Sequence, residues 1–420
     1  MQFCIQDPSY KNSKYLHETL LTECVSGCNG AGMYAFATKD GIELFMEDEN
    51  FKKFIQKGTF LLVVGMDDIT NVRAIETLKE LQNKYGKNLE IKAYIHNNRK
   101  STFHPKLSWF KRGEGGVLIL GSGNLTQQGL RQNREAFTVT DCDEDAMNKV
   151  IMEWRQWLEH SKPFLFDISD DIVLERAKQN VLKLKVVYDM HKTAAGKSDV
   201  ATYSTLAELF KSQPRDKKFE KEKNEKDANK LRQSKSGKEK AKIDYVIEDE
   251  IDVDLEYWFT DLKSEVLLAE IPKNGNRMSQ VNFDKKSFEE FFGATCGENG
   301  VYRILFRNVK ADGSLEKIEV RQSVSVESHN YRFELDAAKG VVYPEGAERP
   351  IGVFAKVSDR DFLYEIVMPN NQVYQQVVSV MSNKQSDTRA LKRLTYICSE
   401  IYKDTSDLAI WKRLDIEDGE

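Results

Sequence analysis

The run Thr59-Phe-Leu-Leu-Val-Val-Gly65 carries no charged side chain, which is typical of a β-strand that is buried on both faces of a sheet. Polar residues at positions 67, 68 and 70 follow it and predict the start of a helix that continues to Leu81. Residues 89–95 alternate in polarity, as a further strand does. A buried strand, a helix and a second strand in this order indicate an α/β domain.

The segments on either side add strands and helices to this domain. We predict strands over residues 32–38, 41–45, 103–110, 117–121 and 135–140. Trp154, Trp157 and Leu158 recur at helical spacing, so residues 144 to about 191 are predicted to be helical, with these tryptophans in the core. The predicted N-terminal fold is therefore of the α/β class, a mixed sheet with flanking helices.

The chain of 420 residues exceeds what one hydrophobic core usually serves, so we expect two domains and a connection. The predicted parts are an α/β domain over residues 1–165, a helical and charged linker over 166–248, a β-rich domain over 249–383, and a C-terminal helix with an acidic tail over 384–420. Basic residues outnumber acidic ones between 211 and 242. That stretch is interpreted as a solvated linker or a long charged helix, with DNA contact as an alternative role.

The C-terminal half is predicted to be mostly β. Short strands are expected over residues 266–271, 301–306, 318–321, 331–335, 351–357 and 362–368, at a spacing typical of a barrel. A short helix is expected over residues 287–292, with no long helix before residue 383. A second helix is predicted from about residue 386 to residue 402.

Composition excludes several classes of protein. The net charge of −5 argues against a uniformly basic surface, although local patches decide nucleic-acid binding. Six irregularly spaced cysteines predict no disulfide framework, and Cys24 and Cys28 lack the second ligand pair that a zinc site needs. No apolar run approaches the length of a bilayer span, and the first residues lack the layout of a signal peptide. We therefore expect a cytoplasmic protein that does not bind membranes.

Two polar motifs at predicted strand ends carry the chemistry. His104 and Lys106 lie two residues apart, so a strand would place both on one face. The next strand ends in Gly121-Ser122-Gly123-Asn124, a turn that can present backbone N–H groups. A nucleophilic imidazole, a fixed cation and N–H donors are what phosphoryl transfer requires. A histidine alone would more often be structural, and this is our interpretation of His96.

The sequence His104-x-Lys106, followed by Gly121-Ser122-x-Asn124 and Asn133-x-Glu135, resembles the phospholipase D superfamily. That family usually has an aspartate five residues after the lysine, where this chain has Lys111. The departure weakens a lipid-hydrolase interpretation and suits the nuclease branch of the family.

The resemblance implies a role for each motif residue. His104 would attack phosphorus and form a covalent phosphohistidine. Lys106 and Asn124 would hold the non-bridging oxygens, and Ser122 would add a donor. Glu135 would accept a hydrogen bond from the far nitrogen of His104 and fix its tautomer. No carboxylate cluster suited to Mg²⁺ accompanies these residues, so we expect a metal-independent reaction without a cofactor.

The motif occurs once in the chain, and this predicts an assembly. The superfamily mechanism uses two histidines, one as nucleophile and one as the acid for the leaving oxygen. Two chains would therefore meet about a two-fold axis and contribute both copies of His104 to one shared site. We predict a homodimer.

The C-terminal half resembles the pseudobarrel DNA-binding domain that metal-independent restriction endonucleases of the phospholipase D type share with plant transcription factors. Residues 269–280, 328–335 and 343–354 carry this resemblance, which implies two arms that clasp the major groove. Arginine, asparagine and glutamine side chains pair with base edges, and both arms are rich in them. The predicted DNA-binding residues are Lys273, Asn276, Arg277, Ser279 and Gln280 in the first arm, and His329, Asn330 and Arg332 in the second.

These patterns together predict a homodimeric, metal-independent restriction endonuclease that acts on double-stranded DNA. The chain has no methyltransferase domain, so a DNA methyltransferase partner would be a separate protein. Two alternatives stay open: a less specific nuclease in an anti-phage or DNA-processing role, and a DNA-binding module with a degenerate nuclease half. A phospholipase is the least favoured function.

Overall fold

The structure is a computed structural model that describes residues 1–10, 13–97, 101–181, 258–271, 280–295, 300–323, 325–326, 330–339, 341, 348–384 and 391–415. The chain divides into two units. The first comprises residues 1–6 and 14–252, and the second comprises residues 7–13 and 253–420. Helices within the described residues are too short or too polar to cross a membrane.

Eight strands of the first unit form one mixed sheet in the order β1-β7-β6-β5-β2-β3-β4-β8. Neighbours β2, β3 and β4 run parallel, and the other pairs run antiparallel. The strands are β1 (Gln2–Gln6), β2 (Asn29–Tyr34), β3 (Thr59–Gly65), β4 (Leu89–Tyr94), β5 (Lys106–Arg112), β6 (Gly115–Gly121), β7 (Glu135–Cys142) and β8 (Leu165–Asp167). The helices are α1 (Leu16–Cys24), α2 (Lys39–Met46), α3 (Glu49–Ile55), α4 (Val72–Tyr85) and α5 (Glu144–Ser161). The predicted mixed α/β class is confirmed.

Both faces of this sheet are covered, which explains why β3 is apolar along its length. On one face Phe60 makes ring contacts with Phe45, Phe51 and Phe54 of α2 and α3. On the other face α5 packs through Met147 and Trp154 against a core that includes Met33, Val63 and Trp109. The tryptophan spacing of α5 therefore marks a core face, as predicted.

The predicted strand over residues 41–45 is wrong, because this segment belongs to α2. Thr38 caps the helix by accepting a hydrogen bond from the Gly41 N–H. Ile42, Leu44, Phe45 and Met46 are buried, whereas Lys39 and Glu43, four residues apart, keep exposed side chains, which is helical spacing. The predicted five-residue segment is shorter than two helical turns and places Glu43 between two apolar residues, so its pattern imitates the alternation of a strand. The predicted helical region after residue 144 is likewise interrupted, since β8 follows α5 before helical residues 171–181.

The second unit contains three sheets among its described residues. A six-stranded sheet has the order β13-β12-β17-β16-β10-β18, a three-stranded sheet has the order β11-β15-β14, and β9 pairs with β19. The strands are β9 (Thr260–Asp261), β10 (Glu265–Glu270), β11 (Gln280–Phe283), β12 (Arg303–Asn308), β13 (Glu319–Gln322), β14 (Ser325–Val326), β15 (Asn330–Glu334), β16 (Ile351–Ser358), β17 (Asp361–Val367), β18 (Arg393–Ile397) and β19 (Leu414–Asp415). The helices are α6 (Tyr374–Ser382) and α7 (Cys398–Ile401). These sheets do not close into a barrel within the described residues, so the pseudobarrel stays a prediction.

The predicted strands of this unit are confirmed, whereas the helix predicted from about residue 386 to residue 402 is present among the described residues only as α7 at its end. Residues 393–397 form β18, where Leu394 and Tyr396 are buried and the intervening Thr395 is exposed. This two-residue alternation belongs to a strand that pairs with β10. The helix α6 lies in a stretch where no helix was predicted. The short helix predicted at residues 287–292 is present as a single π-helical turn over Ser287–Phe291.

Two further predictions concern cysteines and the linker. Among the described cysteines no disulfide forms, and Cys24 is buried whereas Cys28 is exposed. Neither belongs to a cluster of three or more metal-ligating side chains in the described part of the chain. The charged stretch over residues 211–242 lies outside the described residues.

Candidate active site

His104 and Lys106 lie side by side where the chain enters β5. Lys106 is the first residue of the strand, and His104 lies two residues before it. The Lys106 Nζ atom is 2.9 Å from His104 Nδ1 and 3.0 Å from His104 Nε2, and it donates a hydrogen bond to the His104 carbonyl oxygen at 3.1 Å. The spacing of the two residues thus brings an ammonium group directly onto the imidazole, as expected for groups that share one phosphate.

The charges in this cluster favour a neutral imidazole. Desolvation and then the positive charge of Lys106 lower the pKa of His104 below its ordinary value. Desolvation also lowers the pKa of Lys106, while the negative charge of Glu135 opposes that shift. A neutral histidine keeps a ring lone pair, which is the form that a nucleophile requires.

Ser122 joins the end of β6 to the start of β7. Its backbone N–H donates to the Ala136 carbonyl at 3.0 Å, and the Ala136 N–H donates to its hydroxyl oxygen at 3.1 Å. The hydroxyl in turn donates to the Glu135 carboxylate, and the Asn133 amide donates to the same carboxylate at 3.1 Å. Glu135 is therefore held by two neighbours at the edge of the candidate site.

The predicted hydrogen bond from His104 to Glu135 is not made within a single chain. Among the described residues the carboxylate of Glu135 accepts from Ser122 and Asn133, and it acts on Lys106 through its charge. The Lys106 ammonium group instead lies against both ring nitrogens of His104. The role of Glu135 as the residue that fixes the His104 tautomer is thus wrong for the isolated chain.

Asn124 is fixed by backbone contacts that leave its amide nitrogen available. Its Oδ1 atom accepts a hydrogen bond from the Phe36 N–H at 3.2 Å, and the Leu125 N–H donates to the Phe36 carbonyl at 3.1 Å. The Phe36 ring meets the His104 ring edge-on, with centroids 6.3 Å apart. The Asn124 Nδ2 group has no hydrogen-bond acceptor among the described residues, so its two N–H donors are free for an anion.

Glycine makes the close turn around Asn124 feasible. A Cβ atom on Gly123 would lie 2.6 Å from the Gly129 carbonyl oxygen, and one on Gly129 would lie 2.5 Å from the Asn124 nitrogen. A larger residue at either position would push the segment that contains Asn124 away from the segment that contains Gly129. The Gln6 side chain ties the same loop down by donating to the carbonyl oxygens of Gly129 and Asn133.

A cavity of about 830 Å³ opens beside His104, between the sheet and α5. Aromatic and aliphatic side chains dominate its walls, with a few polar residues among them. Its lining includes Tyr94, His96, Phe103, His104, Leu120, Met152, Trp157 and His160.

Asp67 and His96 form a second polar pair that the sequence did not single out together. The Asp67 carboxylate lies 3.3 Å from His96 Nε2 and accepts a hydrogen bond from the Phe103 N–H at 2.8 Å. Asp67 was interpreted as a polar residue at a helix start, but α4 begins at Val72 with Asn71 as its cap. Because Asp67 and the Phe103 N–H are far apart in the chain, no motif or regular spacing in the sequence predicts their hydrogen bond.

Most of the predicted DNA-binding residues lie outside the described residues, namely Lys273, Asn276, Arg277, Ser279 and His329. Gln280 is the first residue of β11 and Asn330 the first residue of β15. These two strands run antiparallel and Gln280 pairs with Glu334, so Gln280 and Asn330 lie at opposite ends of the pair. Arg332 is half-buried in β15. The two predicted arms therefore stay a prediction.

No protein-family model matches this chain, and no curated protein matches it in sequence. Among solved structures, it is similar to Nuc from Salmonella typhimurium, described as a phospholipase D family member, at 14% identity and a TM-score of 0.28 over 40% of this chain and 95% of that one. NucT from Helicobacter pylori is 14% identical, with a TM-score of 0.27 over 36% of this chain and 88% of its own. The N-terminal domain of LlaJI.R1 from Helicobacter pylori is 13% identical, with a TM-score of 0.23 over 31% of this chain and 97% of its own. Similarity at this level identifies no substrate, so the chemistry has to follow from the site residues.

Proposed function

We propose that the chain is a phosphodiesterase that cleaves double-stranded DNA through a covalent phosphohistidine on His104, without a metal ion. The observation that carries this proposal is the contact between the Lys106 ammonium group and a histidine whose pKa is lowered. A neutral imidazole next to a fixed cation combines a nucleophile with a binding group for the phosphate oxygens. The free amide donors of Asn124 supply a further binding group on a neighbouring loop.

The first chemical step makes and breaks one bond at phosphorus. A ring nitrogen of His104 attacks, the P–N bond forms, and the P–O bond to the leaving sugar oxygen breaks. Lys106 and Asn124 stabilise the negative charge on the non-bridging oxygens, and the leaving oxygen takes a proton from an acid. In the second step a water molecule attacks phosphorus, gives its proton to the group that acted as the acid, and releases His104.

A second copy of the chain is the source of the acid in this proposal. One chain contains one such histidine motif, so two chains related by a two-fold axis would supply nucleophile and acid to a single shared site. The pairing would also offer Glu135 a histidine from the partner, since within one chain it does not bond to His104. A homodimer with one active site is therefore part of the proposal.

An exposed apolar surface on the first unit supports pairing with a second copy. Phe3 of β1 pairs with Thr138, Thr138 pairs with Leu120, and residues directly opposite in a sheet share a face. On this surface Phe3 is 64% exposed, Ile5 59%, Leu120 43%, and Met152 of α5 54%. Leu120 and Met152 also line the cavity beside His104, so the surface continues to the candidate site. Several large exposed apolar side chains on one face are typical of a protein interface.

The restriction-type specificity is the finer part of the proposal. It rests on the polar residues of the two predicted arms, which carry the side chains that pair with base edges. A separate DNA methyltransferase would then protect the host sites. A nuclease that recognises DNA shape, in an anti-phage or DNA-processing role, is the second candidate, and it needs the same site in the first unit.

Cleavage of a plasmid in EDTA tests the proposal. We expect activity without divalent metal, and loss of it in His104→Ala, whereas His160→Ala serves as the matched control because His160 lines the same cavity outside the site. Discrete fragments would support restriction, and a smear would support the less specific nuclease. If binding of DNA occurs without any cleavage by the wild-type protein, the binding-module alternative is correct.

A further inference from the structure

The segment that presents His104 is held at the residue before it. The Phe103 N–H donates to the Asp67 carboxylate at 2.8 Å, and Asp67 follows β3 closely in the chain. Because His104 lies outside β5, the ladder of that strand does not hold its backbone. The bond to Asp67 therefore ties the approach to β5 to the end of the buried strand β3.

The Phe103 side chain strengthens the same attachment. Its ring is stacked on Tyr94, with centroids 4.3 Å apart and an angle of 18° between the planes. A Cβ atom on Gly65 would lie 2.7 Å from the Phe103 ring, so glycine at the end of β3 leaves the space that this ring occupies. Backbone and side chain of Phe103 are thus both fixed by residues at the ends of β3 and β4.

His96 supports the carboxylate from the other side. Its Nε2 atom lies 3.3 Å from Asp67, and the exposed fractions of the two side chains are 10% and 15%. Burial alone would raise the pKa of Asp67, but the hydrogen bonds from His96 and from the Phe103 N–H outweigh it and lower the pKa. Asp67 therefore stays an anion, which is a stronger acceptor for a backbone N–H than a neutral group.

We propose that Asp67 is a positioning residue for His104: by holding the Phe103 N–H it fixes the imidazole against Lys106 in the geometry that attack on phosphorus requires. This inference rests on the proposed phosphodiesterase function. Asp67 acts through Phe103 and takes no part in the chemical step. Displacement of a reacting group by about 1 Å can cost about 100-fold in rate, so the effect of losing this bond falls on kcat.

Three substitutions at one position test the proposal. Asp67→Ala removes the acceptor and should lower kcat by about 10- to 100-fold while KM stays within about twofold. Asp67→Asn keeps an oxygen that can accept from Phe103 and should restore most of kcat. Asp67→Glu keeps the charge but moves the acceptor by one methylene, so an intermediate kcat is expected even if the alanine variant fails to fold. Asp68→Ala is the matched control, because Asp68 is an exposed neighbouring carboxylate without a bond to Phe103.

Amide hydrogen exchange of Phe103 tests the attachment without using activity. We expect slow exchange in the wild type and in Asp67→Asn, and faster exchange in Asp67→Ala. If Phe103 exchange is unchanged in Asp67→Ala, the attachment does not exist and the inference is wrong. If exchange speeds up but kcat is unchanged, Asp67 holds the segment without positioning His104, which also overturns it. Slow exchange that depends on Asp67 in a protein without any phosphodiesterase activity would refute the proposed function instead.

Discussion

Both units contain a cluster of titratable groups with shifted pKa values. The two clusters differ in how far they are exposed to solvent and in whether their hydrogen-bonding groups are already paired within the protein. In the first unit His104 is exposed, and the Asn124 amide nitrogen has no acceptor among the described residues. In the second unit Glu319 is 3% exposed and accepts from the Tyr364 hydroxyl, the Asp336 N–H and Arg321. Burial raises the pKa of Glu319 and of Tyr364.

The difference separates a site from a structural network. Both oxygens of the buried Glu319 carboxylate accept from protein donors, so a ligand would have to displace bonds that belong to the fold. The cluster at His104 instead has an exposed imidazole and an ammonium group that contact each other, and beside them amide donors of Asn124 without an acceptor among the described residues. A shifted pKa indicates a functional site only where the groups can still bind something.

Loss of the cation should cost the most activity in this comparison. We expect Lys106→Ala to lower kcat by about 10²- to 10³-fold, because the charge on the phosphate oxygens loses its main counter-charge in the transition state. Lys111→Ala, at the far end of the same strand, is the matched control and should stay close to wild type. Steady-state cleavage of a defined duplex in EDTA measures both. Equal losses in the two variants would mean that general DNA attraction, rather than the site, explains the effect.

Removal of the buried carboxylate should cost stability rather than catalysis. Glu319→Ala leaves the Tyr364 hydroxyl without its acceptor and removes one of the two carboxylates that Arg321 pairs with, and breaking a buried charged network typically costs about 3 kcal/mol. We expect the free energy of unfolding from urea titration to fall while kcat of the folded protein is retained. Glu290→Ala provides the control, because its ion pair with Lys286 is long and exposed. A kcat loss comparable to that of Lys106→Ala would break the distinction between the two clusters.

The pH dependence of cleavage should report the lowered pKa of His104. Attack requires the neutral ring, so kcat/KM should fall as pH decreases through a pKa that lies below the ordinary histidine value of 6.5. Removing the positive charge in Lys106→Ala should move this acid limb to higher pH. If kcat/KM of the wild type fell with an apparent pKa at or above 6.5, the predicted electrostatic effect of Lys106 would be contradicted.

Glu365 provides the corresponding pH test in the second unit, with the smallest expected effect. Burial raises its pKa to about 7, although the Ala409 and Ile410 N–H groups donate to the carboxylate and oppose the shift. Its unfolded pKa is near 4.5, so its contribution to stability is complete below that pH and is lost as pH rises through about 7. Urea titrations at pH 5 and pH 8 should show a weaker pH dependence in Glu365→Gln than in the wild type. An unchanged pH dependence would exclude Glu365 as its source.

The sequence was informative where the chemistry is local. His104 and Lys106 are two positions apart, and this spacing was enough to predict that their side chains meet, although His104 precedes β5 and does not lie within the strand as predicted. The alternating and continuous apolar runs likewise predicted most strands of both units. In α2 the five residues 41–45 place Glu43 between two apolar residues, so this short stretch imitates a strand, and the helical spacing shows only when Lys39 is included.

Long-range contacts account for the other failures. The bond between Asp67 and the Phe103 N–H joins residues 36 positions apart, and no spacing rule predicts it. Glu135 was assigned to His104 from the family resemblance, but the local Ser122 and Asn133 donors take its oxygens in one chain. Pairing of β18 with β10 decides that residues 393–397 form a strand, and that partner lies more than a hundred residues earlier.

Capture of the covalent intermediate is the most direct test of the central claim. The protein would be mixed with a duplex DNA substrate in EDTA, quenched in denaturant at alkaline pH, and digested for mass spectrometry. The account predicts a nucleotide adduct on the peptide that contains His104, present in the wild type and in His160→Ala and absent in His104→Ala. Cleavage of the same substrate without an adduct, together with full activity in His104→Ala, would contradict it.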